Sequence, residues 1–284
     1  MKNKSKTKTI KKSKSEKIIS IKNNEEIITE LFNEIYNKFE INLKKFPSKA
    51  IESQNYLKNK VKSFGNKMSY VHETFTKNIK KDFRYQSLEI SDKFNLSLKL
   101  LSNEYLEMKI ICGDILKDIH SKIKRNQVEK LIKLIEENNI INEWASCDTL
   151  SGKFFRFYGL LSKENTIFIV NLGKSKNLWV RRISLVSFVN RIKFQDEKPN
   201  FKGFIDLMYE NIDRNVIYQE RFNQLAVGWL TRYLAQIDYK RYEKWIFLNY
   251  KKLSREAIRY TIEKLNNQQK KRILTYNTED YKYE

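Results

Sequence analysis

The chain has 284 residues, enough to bury a substantial core in one domain or in two small ones. Its 7 Gly and 2 Pro are too few for turn-rich β-sandwiches or for folds built on Gly-rich phosphate loops, and they favour long helices with short connections. Lys and Arg number 56 against 34 acidic residues, a net +22 that must either repel itself or meet a polyanion, with nucleic acid the first candidate and a Lys-rich proteome the alternative explanation.

Residues 1–24 open the chain as a Lys-, Ser- and Thr-rich tail without the apolar residues needed to offset ordering entropy, so it is expected to be a disordered electrostatic arm. Nine Lys and one Glu fall in residues 1–22, and the remainder still carries +14, so the charge is not confined to the tail. No apolar run suits a signal peptide or a membrane span. The expectation is a soluble, intracellular protein, cytoplasmic in a bacterium or nuclear in a eukaryote. Cys112 and Cys147 read as reduced core residues. With only His72 and His120 and no CxxC, neither a zinc site nor any other metal or cofactor is expected.

Residues 25–284 read as a single helical domain. Ile28, Leu31, Phe32, Ile35 and Phe39 recur at three and four spacing and predict an amphipathic first helix. Ile51 to Phe64 repeats the habit more weakly, and Tyr70 to Ile79 follows a loop around Gly65 and Asn66. Ser87 to Leu101 and Glu104 to Ile119 predict an antiparallel pair, with Ser102 as N-cap of the second member. Val128 to Glu137 is a short helix stopped at Asn138 and Asn139; the next carries Trp144 and Asp148; Phe154 to Leu161 and Asn165 to Leu172 continue the series. Asn177 to Ile192 is apolar on one side, with Arg181, Arg182 and Arg191 expected on its surface. Gln195 to Asn200 is the clearest internal loop, and Phe201 to Tyr209, Val216 to Ala235, Tyr239 to Phe247 and Ser254 to Leu265 complete the helices. Short helices with tight connections suit HEAT-like helical repeats stacked into a curved all-α solenoid with a concave face; a plain helical bundle is the alternative.

One constellation carries chemistry. Trp144 and Asp148 stand four apart, so on a helix an indole and a carboxylate share one face. Two further segments, Asn177-Leu178-Trp179-Val180-Arg181-Arg182 and Ala226-Val227-Gly228-Trp229-Leu230-Thr231-Arg232, follow at intervals suited to successive repeats, and Leu253 to Tyr260 lies beyond them. In this order, over about Asn142 to Leu265, the segments resemble the DNA alkylation repair family, whose AlkD-like members are HEAT-repeat DNA glycosylases. The resemblance implies Asp148 as the catalytic carboxylate, Trp144 and Trp229 as aromatic walls, Arg182 facing the DNA backbone, and a shallow concave face gripping the duplex. The sequence departs from the family pattern at Ala145, where an acidic residue is common, in a longer interval from Arg182 to Trp229, and at His72, where Pro is common in the early loop.

The residue types fit that chemistry. A purine alkylated at a ring nitrogen is cationic and already a good leaving group, so no acid is needed to protonate it and a catalytic His is dispensable. What remains is to stabilise positive charge growing on the deoxyribose and to place a water, and one fixed carboxylate does both. Indole faces hold a cation with roughly 0.5 to 2 kcal/mol. Lys174, Lys176, Arg181, Arg232, Arg191, Lys193, Arg255 and Arg259 are candidates for a phosphate track. The expected activity is that of a monofunctional alkylpurine DNA glycosylase, working as a monomer on double-stranded DNA that contains alkylated bases. A non-catalytic helical-repeat binder of DNA structure and a protein- or RNA-binding solenoid are the alternatives.

Overall fold

The computed structural model describes residues 23–58, 60–194 and 201–276. Residues 1–22 of the Lys-rich arm and the Gln195 to Asn200 loop expected from sequence lie outside the described residues, whereas Asn23 and Asn24, expected in the arm, cap and begin the first helix. The first half of the chain forms α1 (Asn24–Lys45), α2 (Pro47–Tyr56), α3 (Met68–Glu73), α4 (Phe83–Ser87), α5 (Ile90–Leu101), α6 (Leu106–Ile119) and α7 (Arg125–Asn138). The second half forms α8 (Trp144–Leu150), α9 (Arg156–Leu160), α10 (Lys163–Asn171), α11 (Leu178–Phe194), α12 (Phe204–Asn215), α13 (Arg221–Ile237), α14 (Tyr239–Asn249), α15 (Arg255–Thr261) and α16 (Asn267–Leu274). Among the described residues there is no strand; one parallel bridge joins Lys62 to Tyr105.

The helices stack in two layers. An inner row runs α6, α8, α11, α13, α15, each packed on the next, while α5 covers α6, α10 and α12 cover α11, and α12 and α14 cover α13. This is an all-α helical-repeat solenoid, and its apolar core runs without a break from Ile28 to Ile273. No described helix is long and apolar enough to cross a membrane.

Local rules account for most of the elements. Asn23 and Glu26 close a reciprocal capping box on α1, whose Ile28, Leu31, Ile35 and Phe39 are buried as their spacing requires. Asn139, at φ 47°, ends α7 in the left-handed conformation that Asn tolerates. The inner row departs from simple amphipathicity at α11, which is buried all round from Trp179 to Val189. The expectation that Arg181 and Arg182 lie on its surface is therefore corrected. Trp144 to Leu160 is one continuous helical run, because a π-helical turn, Ser151–Phe155, joins α8 to α9 where two helices were expected.

The weak helix expected over Ile51 to Phe64 stops at Tyr56, and residues 57–58 and 60–67 form a loop whose Leu57, Val61 and Phe64 are nonetheless buried. Its anchor is Glu107 on α6, fully buried, which accepts from Ser63 Oγ (2.9 Å), Phe64 N–H (3.0 Å) and Asn66 N–H (3.1 Å). Gly65 belongs to the same turn: its φ is +78°, and a Cβ there would meet the Ala50 backbone nitrogen at 2.5 Å. Ser102, expected to cap α6, instead donates back to Leu98 O at the end of α5, and Asn103 Oδ1 accepts from Tyr105 N–H. Glu107→Ala would leave several buried donors unpaired, and each costs about 1 to 3 kcal/mol. Urea denaturation should show a loss of about 3 kcal/mol. A loss under about 0.5 kcal/mol would mean that the loop is held by its apolar residues alone.

Candidate active site

Asp148 lies in the second turn of α8, with its side chain 17% exposed. Arg182 from α11 meets it edge on, Nε donating to Oδ1 at 2.8 Å and Nη2 to Oδ2 at 2.9 Å, while Nη1 donates to the Phe222 carbonyl at 2.7 Å. Burial alone would lower the Arg182 pKa, and the adjacent carboxylate more than offsets this and holds it above its ordinary value. The planar fork fixes the carboxylate in one plane and takes two of its roughly four acceptor positions, leaving the others for water.

A cavity of about 530 Å³ opens on this carboxylate. Trp144, Trp229 and Phe222 supply its aromatic lining, and Tyr56 stands edge-on to Trp144 at 5.6 Å between ring centres. Trp229 owes its place to Gly228, where a Cβ would meet the Ala257 carbonyl at 2.9 Å, so this glycine lets α13 and α15 approach closely. Lys58, Lys60 and Arg221 bring cationic groups to the wall. Arg221 pairs with Glu256 (2.8 and 2.6 Å) and holds that carboxyl below its usual range, with Lys58 contributing.

Glu143 is a second carboxylate in the same cavity. It is the N-cap of α8, nearly fully buried, and accepts from Ala145 N–H and from Ser146 N–H (2.9 Å). Burial pushes its carboxyl up to about 7, the two N–H donors and Lys109 pull it down, and Asp148 adds to the rise. Because the folded pKa lies above the unfolded one, near 4.3, this carboxyl stabilises the fold fully below the unfolded value and loses that contribution as pH rises through about 7. Glu143→Gln should flatten this decline, removing a change on the order of 4 kcal/mol between the two pKa values. Parallel stability–pH curves for the two proteins would refute it.

The structure brings Trp144, Asp148, Arg182 and Trp229 to one cavity, and it corrects three expected phosphate contacts. Arg182 is buried at 5% exposure with its guanidinium turned inward onto Asp148. Arg181, 1% exposed, donates to the Ser175 and Lys176 carbonyls and to Glu220, with its guanidinium 3.9 Å from the Tyr218 ring centre, and so ties α11 to neighbouring turns. Arg232, 7% exposed, pairs with Glu263 over the Tyr260 ring. Each has internal partners because a buried guanidinium must be hydrogen-bonded to be tolerated. Lys174 and Lys176 are exposed in the turn before α11 and do not line the cavity, Arg255 and Arg259 are exposed on α15, and the side chains of Arg191 and Lys193 lie outside the description. Trp179 is core, against Phe222, and Trp245 packs between α14 and α12, donating to Asp213. Both cysteines are free and fully buried, and burial pushes their thiols well above the ordinary range. No group of three or more His, Cys, Asp or Glu among the described residues could hold a metal ion.

Fold and site together define a helical-repeat protein whose inner helices present a carboxylate and two indoles in a cleft with cationic walls. The chain matches the DNA alkylation repair enzyme family over residues 39–265 and belongs to it. Its place is thus in the repair of alkylated DNA. A solved structure from Enterococcus faecalis, described as a predicted DNA alkylation repair enzyme, shares the fold with a TM-score of 0.64 at 19% identity, over 78% of this chain and 97% of that one. No curated protein matches.

Proposed function

We propose that the protein is a DNA glycosylase that hydrolyses the N-glycosidic bond of positively charged alkylated purines, of the 3-methyladenine or 7-methylguanine type, in base excision repair. The observation that carries this reading is the Asp148 carboxylate, locked by the Arg182 fork in a cavity walled by Trp144 and Trp229. In such a reaction the lesion leaves without protonation, and the carboxylate faces the cationic sugar that forms. Its free acceptor positions orient the attacking water. The indoles favour a cationic base over a neutral one. Lys58, Lys60 and Arg221 take over the contacts to phosphate that Arg182 was expected to make.

The test is release of free base from a duplex methylated at purine ring nitrogens, with an unmethylated duplex as control. One feature favours the second reading, a helical-repeat protein that binds DNA structure without chemistry: both Asp148 oxygens already accept from Arg182. Tight binding to bent or branched DNA, with no release from any alkylated duplex, would select it.

A further inference from the structure

A second recess of about 530 Å³ shares Tyr56, Leu57, Trp144 and Asp148 with the first. Met68, Leu106 and Ile110 make it apolar, and it ends at two basic side chains, Lys153 and His72. Both are held by Asp114, itself only 6% exposed: Lys153 Nζ lies 2.8 Å from Oδ1 and His72 Nδ1 2.6 Å from Oδ2. Nε2 of His72 has no protein partner among the described residues.

Backbone geometry sets the two basic residues apart as well. The two π-helical turns of the described residues are Thr74–Asn78, which begins two residues after His72, and Ser151–Phe155, which contains Lys153. A π turn closes i to i+5 and holds more residues per turn than an α-helix, so Lys153 is carried round towards the face that bears Asp148. Such turns are uncommon and concentrate at functional sites. A lysine amine, a histidine ring and Asp148 thus border one recess, with Asp114 behind the first two, an arrangement that base release alone does not use.

We propose that Lys153 is a nucleophile for the abasic deoxyribose left after base loss, giving the protein an abasic-site lyase activity. The idea rests on the reading that duplex DNA occupies this cleft. Asp114 holds the Lys153 amine at the recess through their 2.8 Å contact; the ammonium gives up one proton to water, and the amine adds to the C1′ aldehyde. Water leaves and an imine forms. His72, oriented through Nδ1 by Asp114, takes the C2′ proton at Nε2; the C–H electrons form the C2′–C3′ double bond, the C3′–O bond breaks, and the 3′-phosphate departs with that pair. Water then hydrolyses the imine, restoring Lys153 and releasing an unsaturated aldehyde on the 5′ side of the nick.

The test uses the full chain and a duplex carrying one preformed abasic site, with borohydride to reduce any imine and peptide mass spectrometry to locate it. A covalent protein–DNA adduct on Lys153 is expected, absent from Lys153→Arg, which keeps a cation beside Asp114. His72→Ala should still be trapped but should nick on the order of a hundredfold more slowly. No adduct with the unaltered protein, or an adduct mapped to other lysines and undiminished in Lys153→Arg, would overturn the proposal. If Lys153→Arg fails to fold by thermal melting, the mapped site in the unaltered protein decides. The substrate has no base to release, so the result is independent of glycosylase activity: trapping without base release from methylated DNA would keep the lyase and remove the glycosylase.

Discussion

Asp148→Asn is expected to slow release of a methylated purine by about a hundredfold or more, the loss of roughly 3 kcal/mol of transition-state stabilisation. The amide keeps the shape of the carboxylate and can still accept one Arg182 N–H. It has no charge to set against the cationic sugar, and its NH2 turns a donor towards the second guanidinium N–H. Binding to the same duplex should survive, because Lys58, Lys60 and Arg221 are untouched. Single-turnover base release, read beside a binding isotherm at fixed salt, separates the two effects. Full activity in the variant would end the proposed mechanism.

Arg182→Ala carries the largest expected effect on stability. It leaves the Asp148 carboxylate without its fork and the Phe222 carbonyl without its donor, at positions where α8, α11 and α13 meet. Removing one partner of a buried ion pair costs about 3 to 5 kcal/mol, and urea denaturation should find the midpoint lowered accordingly. The same variant discriminates between two roles for this residue. A phosphate contact would change the slope of log K against log salt by about 0.9, whereas an inward-facing guanidinium predicts no change in slope for whatever folded protein remains. A reduced slope with unchanged stability would restore the phosphate contact expected from sequence.

Helical character and chain order were legible because three and four spacing is a direct consequence of burying one face, as at Ile28, Leu31, Ile35 and Phe39. The site's centre was legible as well, through Trp144 and Asp148 on one helix and the later Arg182 and Trp229, although their convergence depends on the stacking of the inner row. The loop after Tyr56 carries a helix-like pattern, because Leu57, Val61 and Phe64 are buried at helical spacing; the chain leaves the helix through a turn in which Lys58 takes φ 54°, a conformation that a lysine does not advertise in sequence. The buried arginines were misplaced for a different reason. A charge is assigned to the surface unless a partner is known, and the partners of Arg181 and Arg182, Glu220 and Asp148, lie 39 and 34 residues away. Glu143 and the Lys153 cluster were missed because a cap turned inward and a π turn depend on backbone register, which leaves no composition signature.

The Phe222 carbonyl that accepts from Arg182 belongs to the first turn of α13, while the carboxylate it shares that guanidinium with belongs to α8. Repeats in a solenoid ordinarily speak only to their neighbours, so damage in one is absorbed locally. Here a single side chain makes three consecutive repeats answer to one another, and the position of Asp148 becomes a property of all three: substitutions far apart in the chain, in either flanking repeat, are felt at the same two oxygen atoms.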